Sequence, residues 1–538
     1  MIQFSGKTVF SGVAFAKAFL YLKADLAVDA TPASDSGVEL EAFRAAIKTA
    51  DGQLEEIYKK TLREIGEEEA RIIDVQRMML VDGDFLEAVE AVITGEHGNA
   101  AYAVDKTGRQ FYELFAGLDD PYMKARAPDI ADISRRLTAV LLNKRTDFTL
   151  GEASVIIADD LTPSDTLSLD KKYIAAFVTR GGSTNSHTAI LARILKIPSI
   201  VQADIPLDKK FNALDAAVDG HEGIIYLEPD KNVKERLKER ARKDKAEADS
   251  LESVRGLPTV TKSGKKVELA ANIGSVEDLK AVFEGDAEGI GLFRSEFLFL
   301  GRNSAPAEDE QFEAYKAAAL ALGGKRVVIR TLDIGADKQA AYLGCEAEEN
   351  PALGLRAIRL CFRMPQLFVT QLRALYRAAA FGKIAVMFPM IASLWELRRC
   401  KEIAAEAKNS LIKEGITTGE IELGIMIETP AAALCAGELA AEADFFSVGT
   451  NDLTQYTLAI DRQSAKLDKF LDTHHPALLK LLKMIVESAH RAHIWAGICG
   501  ELAADKEMTA RFIEWGYDEL SVSPAFILDM RKRIREME

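Results

Sequence analysis

The run Gly181-Gly182-Ser183-Thr184-Asn185-Ser186-His187-Thr188 passes from a glycine turn, just after the apolar stretch Ile174–Val178, into a segment rich in Ala, Ile and Leu. His187 therefore stands where a helix is expected to begin. Ser and Thr in front of a helix are good caps, and the unpaired N–H groups of a first helical turn attract anions. A phosphoryl group carried on that imidazole would face donors, although the helix field contributes only about 0.3–1 kcal/mol. A capped helix with an incidental histidine fits the same local pattern, so the rest of the chain must decide.

A second set of reactive residues lies downstream, each placed directly after a short apolar run. Arg294 follows Gly289–Phe293, and Arg330 follows Val327–Ile329, with Asp333 three residues on. Glu428 follows Leu423–Ile427. Asn451 and Asp452 follow Phe445–Val448, with Arg462 ten residues beyond Asp452, and Cys499 follows Ile494–Ile498. Arg356 lies between the third and fourth of these runs. Arginines hold phosphate and carboxylate through paired hydrogen bonds. A Glu and an Asp, here Glu428 and Asp452, can hold one Mg²⁺ that also binds substrate oxygens. A small substrate bearing both phosphate and carboxylate would satisfy the whole set. Any one of these residues alone would read as structural; their joint placement carries the inference. Cys499 has two readings, a small core residue or a proton donor and acceptor.

The elements that must position these groups can be read from the apolar rhythm. From residue 257 onward eight short runs recur with helical stretches between them: 267–271, 289–293, 327–329, 384–388, 423–427, 445–448, 494–498 and 520–522. Eight strand–helix units in about 280 residues match a (β/α)₈ TIM-type barrel, whose chemistry sits at the C-terminal ends of its strands. The fold class expected is thus α/β, with a C-terminal barrel preceded by a small α/β domain carrying His187. That domain comprises residues 1–22 and 146–228, where short apolar runs alternate with turns. Residues 23–145 read as an inserted helical bundle, because Leu40, Phe43, Ile47, Leu54, Ile57 and Leu62 recur mostly at helical steps. A second helix is expected over Glu67–Val81. Met78, Met79 and Leu80, near the acidic run Glu67-Glu68-Glu69, would suit a docking surface. Residues 229–256 read as a charged, solvated linker helix.

Composition narrows the class. With 538 residues, 48% hydrophobic and 28% charged, the chain is expected to form three to four globular domains. Its net charge of −15 argues against broad binding of nucleic acid or anionic membrane, so an anionic substrate needs a locally cationic pocket. No run approaches the ~18 apolar residues of a membrane span, and the N-terminus lacks the pattern of a secretion signal. The five cysteines form no C-x-x-C pair, which suggests neither a disulfide framework nor a zinc site. A cytoplasmic protein is expected.

These residues occur in motifs that resemble a known family. The motifs are Asp160-Leu161-Thr162-Pro163-Ser164, Ser186–Arg193, Gly291–Leu298, Arg330–Lys338, Gly424–Glu428, Gly449–Tyr456 and Cys499–Leu502, in that order along nearly the whole chain. Together they resemble enzyme I of the bacterial phosphotransferase system, the phosphoenolpyruvate–protein phosphotransferases, whose wider group includes pyruvate phosphate dikinase and phosphoenolpyruvate synthase. The resemblance implies that His187 is the phosphohistidine, phosphorylated on Nε2. It implies that Arg294, Arg330, Arg462 and Asn451, with the backbone at Asp452, bind phosphoenolpyruvate; Arg356 is expected in that set from its place between the third and fourth runs. It further implies Glu428 and Asp452 as Mg²⁺ ligands, Cys499 as the acid that protonates the enolpyruvate carbon, and Thr162 as an aid to orienting the imidazole. The small carrier protein HPr would dock on the helical subdomain through the Glu67–Val81 helix, and the barrel would form a homodimer. His187, on a separate unit, would then swing between the barrel and HPr about the stretch 231–256. One departure is clear: the family writes Gly-Gly-Arg-Thr-Ser-His, where this chain has Ser183-Thr184-Asn185 before Ser186-His187. Two other readings are less consistent with the sequence. An ATP-dependent dikinase or synthase needs a nucleotide-grasping domain, for which the mostly helical residues before His187 leave no space. A regulatory docking protein that has lost catalysis would not need the full set of Arg294, Arg330, Glu428, Asp452, Arg462 and Cys499.

Overall fold

The computed structural model describes the chain apart from residues 24–25, 31, 34, 65–66, 119–123, 125, 145–149, 184–186, 336–339, 345–347 and 463. The side chains at 64, 67–69, 163, 187, 194, 341, 465 and 468 also lie outside the described residues. The chain forms two compact units, Met1–Glu247 and Ala248–Glu538.

The first unit is built on an eight-stranded sheet. Its strands are β1 (Ile2–Ser5), β2 (Lys7–Phe10), β3 (Val13–Tyr21), β4 (Ser154–Ala158), β5 (Ile174–Thr179), β6 (Ser199–Val201), β7 (Asp215–Asp219) and β8 (Ile224–Leu227). They lie in the order β1-β8-β7-β3-β4-β5-β6-β2. The central strands β3 to β6 run parallel, and the flanking pairs are antiparallel. A parallel centre is covered on both faces, which is why β4 reads as an unbroken Ser-Val-Ile-Ile-Ala with every residue buried. Residues 1–22 form three strands, and β7, Asp215-Ala216-Ala217-Val218-Asp219, lacks a marked apolar run.

Among the described residues five helices enter between β3 and β4: Ser36–Glu64, Glu67–Leu80, Gly83–Gly95, Ala100–Ala116 and Ala127–Leu141. Phe43, Ala46, Ala50, Leu54 and Ile57 recur every three or four residues and bury one face of the first helix against Ile73, Leu80, Phe85 and Val89. Asp82 and Asn99 cap the third and fourth helices, accepting from the N–H groups of Phe85 at 3.1 Å and Tyr102 at 2.8 Å. Such caps contribute about 1 kcal/mol each. Leu80 is fully buried in this bundle, whereas Met78 is exposed; the docking surface expected of Met78-Met79-Leu80 thus narrows to Met78 with the exposed Val81. The side chains of Glu67, Glu68 and Glu69 lie outside the described residues.

Buried polar bonds hold the bundle together and join it to helix Pro163–Ser168 beside the sheet. Gln76 donates to Asp129 at 3.0 Å and to Asp132 at 3.1 Å. Arg136 donates to the Ser164 hydroxyl at 3.1 Å, and the Tyr21 hydroxyl donates to Asp165 at 2.8 Å. Each buried group thereby recovers a partner it would otherwise lack.

Helix Lys231–Glu252 differs from the solvated linker expected from its charge. Leu237 is fully buried against Ala217 and Tyr226 of the sheet. Arg240 pairs with Asp219 at 2.7 Å and Glu222 at 3.1 Å, and His221 meets Asp244 at 2.9 Å. A single apolar anchor and a row of ion pairs fix the first part of the helix on the sheet, and the boundary between the two units falls near its end.

The second unit is a closed, all-parallel barrel of β9 (Glu268–Ile273), β10 (Gly289–Arg294), β11 (Val327–Arg330), β12 (Ile384–Phe388), β13 (Glu422–Ile427), β14 (Phe445–Val448), β15 (Trp495–Ile498) and β16 (Glu519–Val522). All eight apolar runs are strands of it. Its interior holds Leu292, Val328, Ala385, Met387, Met426, Phe445 and Cys499. A larger apolar layer packs between the strands and the surrounding helices. At the N-terminal ends of the strands a buried charged cluster replaces apolar packing. Arg326 lies 3.8 Å above the Trp495 ring, 2.6 Å from Glu268 and 3.5 Å from the fully buried Glu519.

Candidate active site

The barrel brings the downstream residues to one end, as the run-and-residue pattern requires. Arg294 and Arg330 are the last residues of the neighbouring strands β10 and β11, in register with one another. Glu428 follows β13, Cys499 follows β15, and Asn451 and Asp452 open helix Thr450–Leu458 directly after β14. Gly500 belongs at this junction because a Cβ there would meet the Thr450 hydroxyl at 2.0 Å.

The arginines are held by carboxylates. Arg330 is buried; it pairs with Glu296 and lies 2.9 Å from Asp333. Arg356 meets both oxygens of Asp333, at 2.9 and 3.0 Å, donates to the Tyr456 hydroxyl at 3.2 Å and reaches Asp452 at 3.5 Å. Arg462 lies 3.5 Å from the other oxygen of Asp452 and is more exposed. Arg294 is exposed. Asn451 and Glu501 bind reciprocally: the Asn451 amide donates to the Glu501 carboxylate, and the Glu501 N–H donates to the Asn451 carbonyl oxygen, both at 3.1 Å. Two non-glycine residues with positive φ flank the site, Ala357 at 53° and Met390 at 56°. Such conformations cost about 1–3 kcal/mol and persist only where the surroundings enforce them. Ala357 follows Arg356, and the Met390 N–H donates to Glu428 at 2.6 Å, so both fix a functional side chain.

Asp333, Glu428 and Asp452 are all buried, and one oxygen of each lies within 4.8 Å of the others. Burial pushes Glu428 up to about 8; Asp333 and Asp452 push the same way, and Arg330 and Arg356 oppose them. Glu428, crowded by two other carboxylates, would be relieved by a cation among the three. Oxygen donors of this kind suit a hard divalent ion, so these residues fit one. The sequence pointed to Glu428 and Asp452. It missed Asp333 as a member, and it missed Glu296 and Tyr456 as partners of the arginines, although all three lie inside the motifs already singled out.

Cys499 lies in the barrel interior with its sulfur 3.6 Å from the Val448 carbonyl oxygen. Burial pushes its thiol up to about 11, with the Ser447 hydrogen bond and Arg330 pulling the other way. The group is therefore an S–H at neutral pH, the form that gives a proton.

In the first unit, His187 is the first residue of helix His187–Leu195. Its side chain and residues 184–186, including the Thr184-Asn185 part of the departure from the family pattern, lie outside the described residues. At the start of the segment before it, the Gly181 N–H donates to the Asp159 carbonyl oxygen at 2.6 Å, and Gly182 has a φ of 77°, which favours glycine. The Thr188 hydroxyl donates to the Leu161 carbonyl oxygen at 3.1 Å, which ties the helix start to the Asp160–Ser164 motif. In that motif Thr162 caps helix Pro163–Ser168: its hydroxyl accepts from the Asp165 N–H, and Asp165 accepts in return from the Thr162 N–H, both at 3.1 Å. Leu191 of the His187 helix enters the bundle core, and Ala192 the core beneath the sheet.

Comparison with known proteins agrees with this geometry. Residues 248–538 match the PEP-binding domain of PEP-utilising enzymes, residues 5–126 their N-terminal domain and residues 150–223 their mobile domain. The chain is 41% identical over 538 residues to the phosphoenolpyruvate-protein phosphotransferase of Staphylococcus carnosus, covering 99% of this chain and 94% of that protein. It is 39% identical over 540 residues to the protein of the same name from Bacillus subtilis, covering 100% of this chain and 95% of that one. A solution structure of an Enzyme I protein aligns with 45% of this chain and 99% of its own at 34% identity, with a TM-score of 0.41. With the motifs in order, the barrel closed and its strand ends converging on arginines and carboxylates, the chain belongs to the phosphoenolpyruvate–protein phosphotransferases, the enzyme I family of the phosphotransferase system.

Proposed function

We propose that this phosphotransferase carries the phosphoryl group on His187 and that the barrel mouth is where phosphoenolpyruvate gives it up. The observation that carries this reading is the convergence of Arg330, Arg356 and Arg462 on Asp333, Glu428 and Asp452 at one end of the barrel. Arg294, Arg330, Arg356 and Arg462 bind the phosphate and carboxylate of the substrate, with Asn451 and the backbone at Asp452. Asp333, Glu428 and Asp452 are the residues that would hold Mg²⁺, which when bound neutralises charge on the phosphoryl oxygens.

Neutral His187 attacks phosphorus through Nε2, in line with the bridging oxygen. The P–O bond breaks and its electron pair passes to the enolate of pyruvate. The enolate carbon takes the proton of the Cys499 thiol, and solvent water returns a proton to the sulfur. The raised thiol pKa supports this role, because a donor must be protonated before the step. The phosphoryl group then passes from His187 to a histidine of HPr. Docking of HPr is assigned to the helix Glu67–Leu80, where Met78 is exposed.

Because His187 and the barrel belong to different units, one step follows the other by movement of the first unit, with the end of helix Lys231–Glu252 as the hinge. The reading also includes a homodimer through the barrel, which exposes Leu434 and Phe470, and a cytoplasmic location. Among the described residues no helix is long and apolar enough to cross a membrane. The test is release of pyruvate from phosphoenolpyruvate with and without HPr. Sustained release that depends on HPr is expected; release that requires ATP chemistry, or none with HPr present, would overturn the reading.

A further inference from the structure

A cavity of about 510 Å³ opens in the first unit where helix Ser36–Glu64 meets the segment leading into β5 and the end of helix His187–Leu195. Its size is that of a small-molecule site. Its wall carries three lysines, Lys60, Lys171 and Lys172, against one carboxylate, Asp170. On a chain of net charge −15, this local positive excess runs against the overall field. Asp170 is already paired with Lys172 at 2.8 Å. The Lys60 ammonium is fixed by the carbonyl oxygens of Ser168 at 2.7 Å and Leu169 at 2.9 Å. Those two bonds use two of its three N–H donors.

A second observation is independent of charge. Thr61, also in the wall, is 1% exposed, and its hydroxyl has no hydrogen-bond partner among the described residues. Buried hydroxyls ordinarily have one, and an orphan beside a cavity points to a group that the cavity takes in. The rest of the wall is Thr166, whose hydroxyl already donates to the Thr162 carbonyl oxygen at 2.8 Å, and the apolar Leu167, Leu169, Ile174 and Leu195.

We infer that this cleft binds a small organic anion. Its phosphate or carboxylate is held by Lys171, Lys172 and the third Lys60 N–H, its polar edge meets Thr61, and its hydrocarbon part rests on Leu167, Ile174 and Leu195. Leu195 packs against both the bundle core and the core beneath the sheet, and it closes the helix that His187 opens. Occupancy therefore bears on that helix and changes the rate of phosphoryl transfer. This coupling rests on the reading of His187 as the phosphate carrier; the binding does not.

The test is methyl NMR on the full chain, with phenyl phosphate, benzoate and benzyl alcohol as probes. The expected result is saturable shifts at the Leu167, Ile174 and Leu195 methyls for one or both anions, the stronger anion identifying the headgroup. Affinity should fall at least tenfold in the double variant Lys171→Gln/Lys172→Gln and more mildly in Thr61→Val. The lysines are exposed, so the double variant should fold as the parent does. No saturation at those methyls up to about 10 mM, equal affinity in the double variant, or binding of benzyl alcohol as tight as that of the anions would overturn the proposal. A second readout is the phosphotransfer rate at saturating probe. A rate that responds in the parent and not in the double variant supports the coupling; binding without any response in rate would remove the coupling and leave the site.

Discussion

Asp333 grips Arg356 with both carboxylate oxygens, at 2.9 and 3.0 Å, and the same carboxylate lies 2.9 Å from Arg330. One buried anion thus aligns two cations from different loops while standing within reach of Glu428 and Asp452. Replacing Asp333 by Asn keeps the shape and removes the charge. Losing charge-assisted hydrogen bonds costs about 1.5–3 kcal/mol, which corresponds to roughly tenfold to hundredfold in affinity. The KM for phosphoenolpyruvate should rise by that factor, and the thermal midpoint should fall, because Arg330 and Arg356 lose a buried partner. An unchanged KM would mean that the arginines are aligned without Asp333.

Glu428 and its two carboxylate neighbours predict dependence on a divalent ion. Chelation should stop pyruvate release, and Mg²⁺ or Mn²⁺ should restore it. Glu428→Gln should weaken Mn²⁺ binding, measured directly by electron paramagnetic resonance, at least tenfold, because one of few hard oxygen ligands loses its charge. Mn²⁺ bound equally well by the variant would place the ion elsewhere.

Cys499 predicts a separation of binding from turnover. Cys499→Ala removes the proposed proton donor but none of the groups proposed to bind the substrate's phosphate or carboxylate. Turnover should fall by about 10²-fold or more, the usual contribution of a positioned acid. The dissociation constant for phosphoenolpyruvate should stay near that of the parent. Pyruvate formation at the parent rate would remove Cys499 from the mechanism.

The buried cluster at the other end of the strands predicts a pH effect on stability. Burial pushes Glu519 up to about 8, Glu268 and Asp518 push the same way, and Arg326 opposes them. The folded chain therefore keeps this proton over a range in which the unfolded chain has lost it. The stability associated with the protonated group is fully present below the ordinary Glu range, near pH 4.5, and is lost as pH rises to and through about 8. Glu519→Gln should flatten this part of the profile, with a smaller fall in thermal midpoint between pH 6 and 9 than the parent shows. Parallel profiles for the two proteins would contradict the assignment.

Much of this was legible in the chain itself, for physical reasons that also explain what was not. The eight barrel strands stood out because strands covered on both faces need unbroken apolar runs such as Ile384-Ala385-Val386-Met387-Phe388. The residue just after each run could be read as site-facing because barrels keep their chemistry there. Strand β7 was silent: Asp215-Ala216-Ala217-Val218-Asp219 is small and flanked by acids, and its place is set by pairing with β3 and β8. Asp333 was visible beside Arg330, but its meeting with Glu428 and Asp452 joins three loops far apart in sequence. Helix Lys231–Glu252 looked fully solvated because Leu237 and a few ion pairs are a faint signal within a run of charge. The partners of Arg326 were hidden because charged residues at strand starts normally face water.

His187 is proposed to receive the phosphoryl group from phosphoenolpyruvate. The full chain should be incubated with Mg²⁺ and phosphoenolpyruvate labelled in its phosphate, digested, and the label mapped. One acid-labile phosphohistidine on the peptide containing residue 187 is expected, with no label on His187→Ala although that variant still binds phosphoenolpyruvate. Label that persists in His187→Ala, or that maps to another residue of the parent, would contradict the account.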